Sequence, residues 1–305
     1  MLKLSPILGA CCLALGPFSI ARADNTAPLD TAAIEAATGL KGTLNKEENV
    51  FKISKPRTDV PIRVADWKMS PFMGLTSWAA FTPAHDGVVM MMGDTVLFED
   101  EVNPAMSVAL ENGLEVTALH NHFFFDKPKI YFMHIGGTGE ARMLAARVKK
   151  IYDKIAEIRK DHTDPQDTFA DGEIGSPNRI SPDPLQKVLG VKGQAKDGMF
   201  KAVFGRTSSM HDTPVGNEMG VNTWAAFAGT DDQAVVDGDF AMTESELQTV
   251  LKEMRHEGIN VVAIHQHMSM EQPRILFLHY WKSGKAEELA KSVERVLRAQ
   301  STAPK

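Results

Sequence analysis

Cysteine is almost absent from this chain, which has two in 305 residues. Both of them, Cys11 and Cys12, lie in an N-terminal segment that we expect to be removed from the mature protein. The remaining chain would then contain no thiol, which excludes disulfide bonds, thiolate metal ligands and cysteine nucleophiles. Any metal site or catalytic centre must therefore be built from other side chains.

Long apolar runs and basic clusters are also missing after residue 23. No later stretch approaches the roughly 20 apolar residues that a transmembrane helix needs, so we expect no membrane span in the mature chain. Without Lys3 and Arg22, the 33 basic residues fall to 31 against 39 acidic residues, a net charge of −8. This charge, without a basic stripe to bind phosphates, argues against nucleic acid as a partner.

The first 23 residues are typical of a cleaved secretory signal. Lys3 precedes an apolar run, and Ala21-Arg22-Ala23 supplies the small residues of a cleavage site. We therefore expect residues 1–23 to be removed and the mature protein to be periplasmic or secreted. The sequence Leu8-Gly9-Ala10-Cys11 loosely resembles a lipobox, but the apolar stretch before it is short, so a lipoprotein is the weaker alternative.

The rest of the chain consists of two tandem copies of one sequence unit. Residues 114–122 (LEVTALHNH) align with 259–267 (INVVAIHQH), and 127–134 (KPKIYFMH) align with 272–279 (QPRILFLH), always 145 positions apart. Shorter matches accompany them: Gly93-Asp94 with Gly238-Asp239, residues 78–81 with 224–227 (WAAF in both), and GLKG over 39–42 with GVKG over 190–193. Such self-similarity predicts two copies of one structural unit.

The two copies are separated by residues 161–184, which are rich in Pro, Gly, Asp and Ser and have no periodicity. This composition is typical of a linker. We therefore predict a first repeat domain over residues 24–160 and a second over residues 185–305. Each is long enough to fold around its own hydrophobic core.

Each copy is predicted to be an α+β unit of the order ββαββα, a mostly antiparallel sheet covered by helices. In the first copy, sequence patterns predict strands over 77–81, 88–98, 115–123 and 129–135, and helices over 100–112 and 140–158. Gly113 follows the first helix, where a left-handed C-cap is favoured. In the second copy, residues 243–246 (TESE) form a capping-box pattern at the start of the same helix.

Six of the ten histidines fall at matching positions of the two repeats. In a strand, residues i and i+2 project from the same face, so His120 and His122 point together. A turn centred on Lys127 would place His134 of the next strand directly across from His120. The same spacing recurs at His265, His267 and His279. We therefore predict a three-histidine cluster in each repeat.

Three imidazoles on adjacent strands can bind a transition metal and leave a fourth position open for water, as in catalytic zinc sites. Such a water can lose a proton near pH 7 and act in hydrolysis. Imidazole suits zinc and copper alike, so the ligands do not identify the metal. Met268 and Met270 would favour copper, but Phe123 and Phe125 stand in their places in the first repeat. We predict an exported metal-binding protein, with metal-dependent hydrolysis as its enzymatic form.

The alternative is a non-catalytic module of the cell envelope that binds a small molecule or a protein partner. Strand histidines often hydrogen-bond to backbone or carboxylate groups, and a duplicated domain repeats its structural residues along with its functional ones. The six histidines could also bind an anionic or sugar-like substrate without metal, as proton donors with a pKa of ~6.5. The sequence does not decide between these functions.

Two other sets of charged residues recur in both copies. Glu99 and Glu101 match Glu244 and Glu246, and their place in the first turn of a helix favours capping over catalysis. Arg57 matches Arg206. We expect each arginine to form a surface ion pair.

Three motifs of the first copy stand out: GLTSWAAF over 74–81, GDTVLFEDEVNP over 93–104 and TALHNH over 117–122. Together with the later His134, they resemble the LppY/LpqO family of exported bacterial proteins. That family is a domain of unknown function present in two tandem copies, and the resemblance extends over nearly all of the mature chain. It implies an exported protein of two repeats and brings no reaction, cofactor or catalytic residue with it. The second copy departs from the pattern, with MTESEL over 242–247 where the first has LFEDEV over 97–102. If one site alone is active, the resemblance favours the one in the first repeat.

Overall fold

The computed structural model describes residues 29–166 and 176–303. The predicted signal sequence, residues 1–23, and the middle of the predicted linker, residues 167–175, lie outside the described residues. No described helix is long and apolar enough to cross a membrane.

The first repeat has three α-helices and nine β-strands in its described part. In chain order these are α1 (Thr31–Thr38), β1 (Gly42–Asn45), β2 (Val50–Pro56), β3 (Arg63–Val64), β4 (Trp67–Lys68), β5 (Thr76–Pro83), β6 (Val89–Phe98), α2 (Glu99–Glu111), β7 (Glu115–His120), β8 (Asp126–Lys127), β9 (Ile130–Gly139) and α3 (Ala141–Asp161). Short 3₁₀ turns occupy Pro71–Met73 and His85–Gly87.

The second repeat follows the same order. It contains α4 (Pro182–Leu189), β10 (Gln194–Lys196), β11 (Met199–Gly205), β12 (Ser208–Met210), β13 (Thr213–Val215), β14 (Asn222–Gly229), β15 (Ala234–Thr243), α5 (Leu247–His256), β16 (Asn260–His265), β17 (Ile275–Gly284) and α6 (Ala286–Ser301). Helix α4 begins at Pro182, within the last residues of the predicted linker, because proline is well suited to the first turn of a helix.

The α+β architecture with a large antiparallel sheet is confirmed, but each repeat is larger than the predicted ββαββα unit. A helix and a hairpin precede that unit in both copies: α1, β1 and β2 in the first, and α4, β10 and β11 in the second. Helix α1 has eight residues, which is too short to show a clear helical period in the sequence. The repeated GLKG and GVKG segments mark the end of this extra helix, where Gly39 and Gly190 adopt φ values of 73° and 68°.

Twelve strands form one continuous sheet in the order β1-β2-β5-β6-β9-β7-β16-β17-β15-β14-β11-β10. The order reads the same from both ends, because β7 of the first repeat pairs antiparallel with β16 of the second. Two small sheets, β4-β3-β8 and β12-β13, lie outside this main sheet.

The helices cover one face of the main sheet. One hydrophobic cluster includes residues from all six described helices and from the inward face of the strands. Alternation along β6 shows the two faces: Met91 is fully buried, while Met90 and Met92 are 41% and 58% exposed. The face that carries Met90 and Met92, which we call the open face, is therefore free of helices in the described structure.

Helix α2 ends as its sequence predicts. Gly113 adopts a φ of 74°, in the left-handed region that favours glycine after a helix. The main departure in this region concerns the next strand, because β7 ends at His120 and not at Phe123. Residues 121–129 form a longer connection, part of which pairs with β3 as strand β8.

Candidate functional site

The structure brings the three predicted histidines of the first repeat together on the open face. His120 is the last residue of β7, His122 lies just beyond it, and His134 lies on β9. The Nε2 atoms of His120 and His134 are 3.1 Å apart. The ring centres of His120 and His122 are 5.2 Å apart. His120 is therefore close to the rings of both His122 and His134.

The predicted pairing of these strands is wrong by two residues. His120 pairs with Phe132, and His134 pairs with Ala118, not with His120. The pairs are centred on Asp126 and not on Lys127, and the β-bulge between Val116 and Ala118 lies before these pairs and does not alter them. A shift of two residues keeps each side chain on its face of the sheet, so the histidines still converge.

The second repeat builds the same cluster from His265, His267 and His279. The Nε2 atoms of His265 and His267 are 3.2 Å apart. The ring centres of His265 and His279 are 4.6 Å apart. The close pair thus differs between the repeats, since His120 approaches His134 in the first, whereas His265 approaches His267 in the second.

An aspartate that sequence analysis did not propose as a site residue completes each cluster. Asp94 on β6 pairs directly with His134, and Asp239 on β15 pairs with His279. Asp239 Oδ2 lies 3.1 Å from His267 Nε2 and 3.9 Å from His265 Nε2. The signal was available, because the Gly-Asp pair recurs at the same offset of 145 residues as the histidines.

Both aspartates are buried and poorly satisfied. Asp94 is 8% exposed and Asp239 is 3% exposed. Neither Oδ1 atom has a hydrogen-bond partner among the described residues. Burial raises the pKa of each carboxyl group, and nearby histidine charges oppose this effect. A buried carboxylate with an unsatisfied oxygen would be stabilised by a cation placed beside it.

The same environment lowers the pKa of two of the histidines. Burial lowers the pKa of His265 to about 4, and repulsion by His279 and His267 adds to the shift. Burial also lowers the pKa of His122, with repulsion by His120 as the next cause. At neutral pH these two rings are therefore neutral, and each has one ring nitrogen with a free lone pair.

Backbone carbonyl groups orient two of the rings. His120 Nδ1 lies 3.3 Å from the carbonyl oxygen of Asn121, and His279 Nδ1 lies 3.2 Å from that of Gly238. Because a carbonyl oxygen only accepts hydrogen bonds, Nδ1 must carry the proton in each pair. A neutral ring with this tautomer keeps its lone pair on Nε2, as in histidines that bind metal through Nε2.

Phenylalanine rings hold two other histidines in place. Phe132 stacks on His122 with ring centres 3.3 Å apart, and Phe277 stacks on His267 at 3.6 Å. Met270, one of the two methionines considered as copper ligands, has 79% of its surface exposed. Each cluster therefore consists of imidazole and carboxylate groups, with one phenylalanine ring stacked against it.

In the second repeat, Asp239, His265 and His267 each offer one ligand atom within 4.8 Å of the other two, which suits a bound cation. Among the described residues of the first repeat, no three ligand atoms lie that close together. Ligand atoms that lie 2.0–2.1 Å from a tetrahedral zinc ion are about 3.3 Å from each other. The Nε2 pairs at 3.1 and 3.2 Å and the contact between Asp239 and His267 at 3.1 Å are close to that spacing. An N–H···N hydrogen bond between neutral rings has a similar length, so the geometry alone also permits a cluster without metal.

Two of the four recurring glutamates, Glu101 and Glu246, have the predicted capping role. Glu101 Oε2 accepts a hydrogen bond from the Phe98 backbone N–H at 2.9 Å, and Glu246 Oε2 accepts one from the Thr243 N–H at 2.9 Å. The prediction of a surface ion pair is wrong for Arg57, which is 8% exposed and binds Glu101 through two contacts of 2.6 Å. The reason is that Glu101 is fully buried and needs a cation beside it.

A second group of metal-ligand types lies at the end of α5. Glu253, His256 and Glu257 offer atoms within 4.8 Å of one another. The Glu257 carboxylate, however, is already held by Arg295 through two contacts of 2.5 Å. This group is thus an ion-pair cluster and not a comparable site.

Together, the fold and the clusters define a class of protein: a duplicated α+β chain with three histidines and one aspartate on the open face of each half. The chain belongs to the family described as Domain of Unknown Function (DUF1259), whose model matches residues 32–154 and again residues 183–299. The two matches confirm the tandem repeat. Searches of curated proteins and of solved structures found no significant match.

Proposed function

We propose that this protein binds one transition-metal ion in each repeat, at His120, His122, His134 and Asp94 in the first and at His265, His267, His279 and Asp239 in the second. The observation that carries the proposal is the close approach of imidazole Nε2 atoms, at 3.1 and 3.2 Å, beside a buried aspartate. A divalent cation would balance the carboxylate and use the free lone pairs of the neutral rings.

The donor set favours zinc or copper over magnesium or calcium. Magnesium and calcium prefer six or more oxygen ligands, whereas these clusters offer mainly imidazole nitrogen. The choice between zinc and copper depends on measurement, because the same three nitrogen atoms suit both.

As an enzyme, we propose, this protein is a metal-dependent hydrolase. A metal held by three or four protein ligands can keep a position for water and lower the pKa of that water toward 7. The clusters lie on the face of the sheet that no described helix covers, and His122 is exposed. Access from solvent supports a role in which the site meets a substrate.

We further propose that the protein works outside the cytoplasm, as an exported member of the LppY/LpqO group of bacterial proteins. This part of the proposal rests on the secretory pattern of residues 1–23 and on the motifs described above. It agrees with the choice of ligands, because imidazole and carboxylate sites do not depend on a reducing compartment.

Metal analysis of the purified protein tests the proposal. The chain should be prepared without an affinity tag, and its zinc and copper content measured by mass spectrometry. We expect about two equivalents of one metal. His120→Ala with His134→Ala should remove one equivalent, and His265→Ala with His267→Ala the other. A matched control, His85→Ala with His211→Ala, changes exposed histidines outside the clusters and should keep both.

A metal-free protein that also fails to take up zinc or copper would overturn the proposal. Retention of full metal content by the two cluster variants would do the same. The six histidines would then have structural roles, as in a non-catalytic envelope module that binds a small molecule or a protein partner. In that case the short contact between His120 and His134 would be a hydrogen bond between neutral rings.

A further inference from the structure

The small sheet β4-β3-β8 in the first repeat carries an unusual concentration of exposed aromatic residues. Trp67 is 68% exposed, Phe72 is 98% exposed, and Phe124 and Phe125 are 76% and 78% exposed. Trp67, Phe124 and Phe125 lie on neighbouring segments, because the β3–β4 turn contacts the connection before β8 through a hydrogen bond from Ala65 N–H to the Phe125 carbonyl at 3.1 Å. Phe72 lies on the 3₁₀ turn that follows β4. We call this surface, formed by residues 63–73 and 121–130, the aromatic patch.

The exposure is not a result of poor packing in this region. The same segments supply buried residues, among them Met69 and Ile130, to a hydrophobic cluster between the small sheet and the main sheet. The four aromatic side chains are not members of that cluster. Phe125 also adopts a φ of 62°, a left-handed conformation that is unfavourable for a bulky residue. Met270, the counterpart of Phe125, adopts a similar φ of 67°, so this conformation belongs to the equivalent turn of both repeats.

Basic residues lie among the aromatic residues. Arg63 pairs directly with Lys68 on one side and with Lys127 on the other, and all three are exposed. Like charges in direct cross-strand positions destabilise a sheet. Lys129 adds a fourth basic residue, against two aspartates in the patch, of which Asp126 is buried. The patch is therefore positive on a chain whose formal net charge is −6.

The fold does not require this composition, as the second repeat shows. Its small sheet, β12-β13, carries no basic residue in either strand. At the positions of Phe72, Phe124 and Lys127 the second repeat has Glu218, Ser269 and Gln272. Both repeats nevertheless keep the same strand order and the same histidine cluster. The aromatic patch is therefore an addition to the first repeat alone.

We infer that the aromatic patch docks the protein on the surface of a membrane that contains anionic lipids. Exposed tryptophan and phenylalanine gain a favourable environment at the boundary of the hydrocarbon region, and lysine and arginine beside them meet lipid phosphates. The positive charge of the patch suits anionic lipid, whereas the chain as a whole has a formal net charge of −6. Docking would therefore fix one orientation of the protein.

That orientation brings the first histidine cluster close to the lipid surface. Gly74 follows the 3₁₀ turn that carries Phe72. It lies next to His122, because a side chain at position 74 would place its Cβ atom 3.8 Å from His122 Nδ1. His122 thus lies within the patch as defined, beside the turn that carries Phe72. The inference does not depend on a bound metal, since it rests on exposure, charge and the difference between the repeats.

Binding to lipid vesicles tests the inference with the full chain. Vesicles of equal parts phosphatidylglycerol and phosphatidylcholine are compared with vesicles of phosphatidylcholine alone, by sedimentation at low and high salt and by tryptophan fluorescence. We expect salt-sensitive binding to the anionic vesicles and a blue shift in emission that is lost in Trp67→Ser. The apolar segment at the N-terminus is common to all variants and cannot produce a difference between them.

Two pairs of substitutions in the patch have matched controls in the second repeat. Lys68→Glu with Lys127→Glu should weaken binding to the anionic vesicles by roughly tenfold or more. Phe72→Ser with Phe125→Ser should abolish the blue shift of Trp67. The controls, Lys192→Glu with Lys196→Glu and Met219→Ser with Met270→Ser, alter exposed residues of the second repeat and should bind like the unaltered chain.

Several results would overturn the inference. One is equal binding to neutral and anionic vesicles, and another is unchanged binding by both patch variants. A third is a dimer in solution that the patch variants dissociate, because a second copy of the chain would then cover the patch. A fourth is displacement of the protein from vesicles by a single-stranded oligonucleotide, which would assign the patch to nucleic acid.

Discussion

Leu119 on β7 lies directly opposite Ile264 on β16, and each is the counterpart of the other, 145 positions apart. Antiparallel pairing of equivalent residues places a local twofold axis between them, as in a symmetric dimer. The chain therefore has an internal interface of the isologous kind, in which the same surface of each repeat contacts the other.

Two side-chain amides confirm this symmetry. Asn103 on α2 bonds both backbone groups of Val261, at 3.2 and 2.8 Å. Its counterpart Gln248 on α5 bonds both backbone groups of Val116, at 3.0 and 2.9 Å. Val116 and Val261 lie where β7 and β16 bulge away from β9 and β17, so the amides supply hydrogen bonds to these strands at the junction.

Removal of the Asn103 amide should destabilise the junction. Asn103 is 3% exposed, and Asn103→Ala would leave two backbone groups of Val261 without partners in a buried place. We expect a loss of about 2–4 kcal/mol in the free energy of unfolding, at about 1–2 kcal/mol for each buried group. Urea denaturation measures this loss. Gln194→Ala, on an exposed edge strand, is the control, and an equal effect of both changes would contradict the role of the junction.

The sheet was predictable from the sequence in kind but not in extent. Alternation along β5, β6 and β9 and the repeat itself predict an antiparallel α+β unit written twice. The joining of the two halves depends on β7 and β16, which look like any other strands in the sequence, because edge pairing is set by the packing of helices behind them. The extra helix in each repeat was missed because eight residues are too few to establish a period.

The buried ion pair between Arg57 and Glu101 should be essential for folding of the first repeat. Arg57→Ala would leave the Glu101 carboxylate, which is fully buried, with Arg159 as its remaining cation. We expect a loss of about 3–5 kcal/mol, as for other broken buried pairs. Arg206→Ala is the matched control, because Arg206 and Glu246 are partly exposed and should cost less than ~1 kcal/mol. Thermal unfolding of both variants compares the two losses.

The contact between Glu257 and Arg295 should make stability depend on pH. The hydrogen bond from Arg295 is the main cause that lowers the pKa of Glu257 below its usual value. A lowered pKa in the folded state means that this stabilisation is present above the unfolded pKa of about 4.3 and is lost as the pH falls through the folded pKa. Glu257→Gln should therefore cost about 1 kcal/mol at pH 7 and progressively less as the pH falls below the unfolded pKa of about 4.3 and through the folded pKa.

A control for this pH effect is Glu294→Gln, which removes an exposed pair with Arg298. We expect a change below ~0.5 kcal/mol at neutral or acidic pH, because exposed pairs of this spacing contribute little. Equal losses for Glu257→Gln at neutral and acidic pH, measured by urea denaturation, would show that the residue acts through packing and not through its charge.

The histidines of the candidate site were predictable because two independent patterns agree, the i, i+2 spacing and the offset of 145 residues. The strand register was not, since the centre of a nine-residue connection cannot be read from alternation alone. Asp94 was missed for another reason: aspartate is unusual within a strand, and the repeated Gly-Asp was treated as a mark of alignment only. Because Asp94 recurs as Asp239 on the face that carries the histidines, it belongs among the candidate ligands.

Substitution of Asp94 distinguishes a metal ligand from a structural aspartate. Without metal, Asp94→Asn removes a buried carboxylate whose Oδ1 lacks a partner in the described structure, so the metal-free protein should gain about 1–2 kcal/mol of stability. With zinc, the same variant should lose roughly 10- to 100-fold or more in affinity at the first site. Thermal unfolding with and without zinc measures both effects, and Asp66→Asn, on an exposed turn, should change neither. A structural aspartate would give the opposite pattern, because its replacement would lower the stability of the metal-free protein and leave the stabilisation by zinc unchanged.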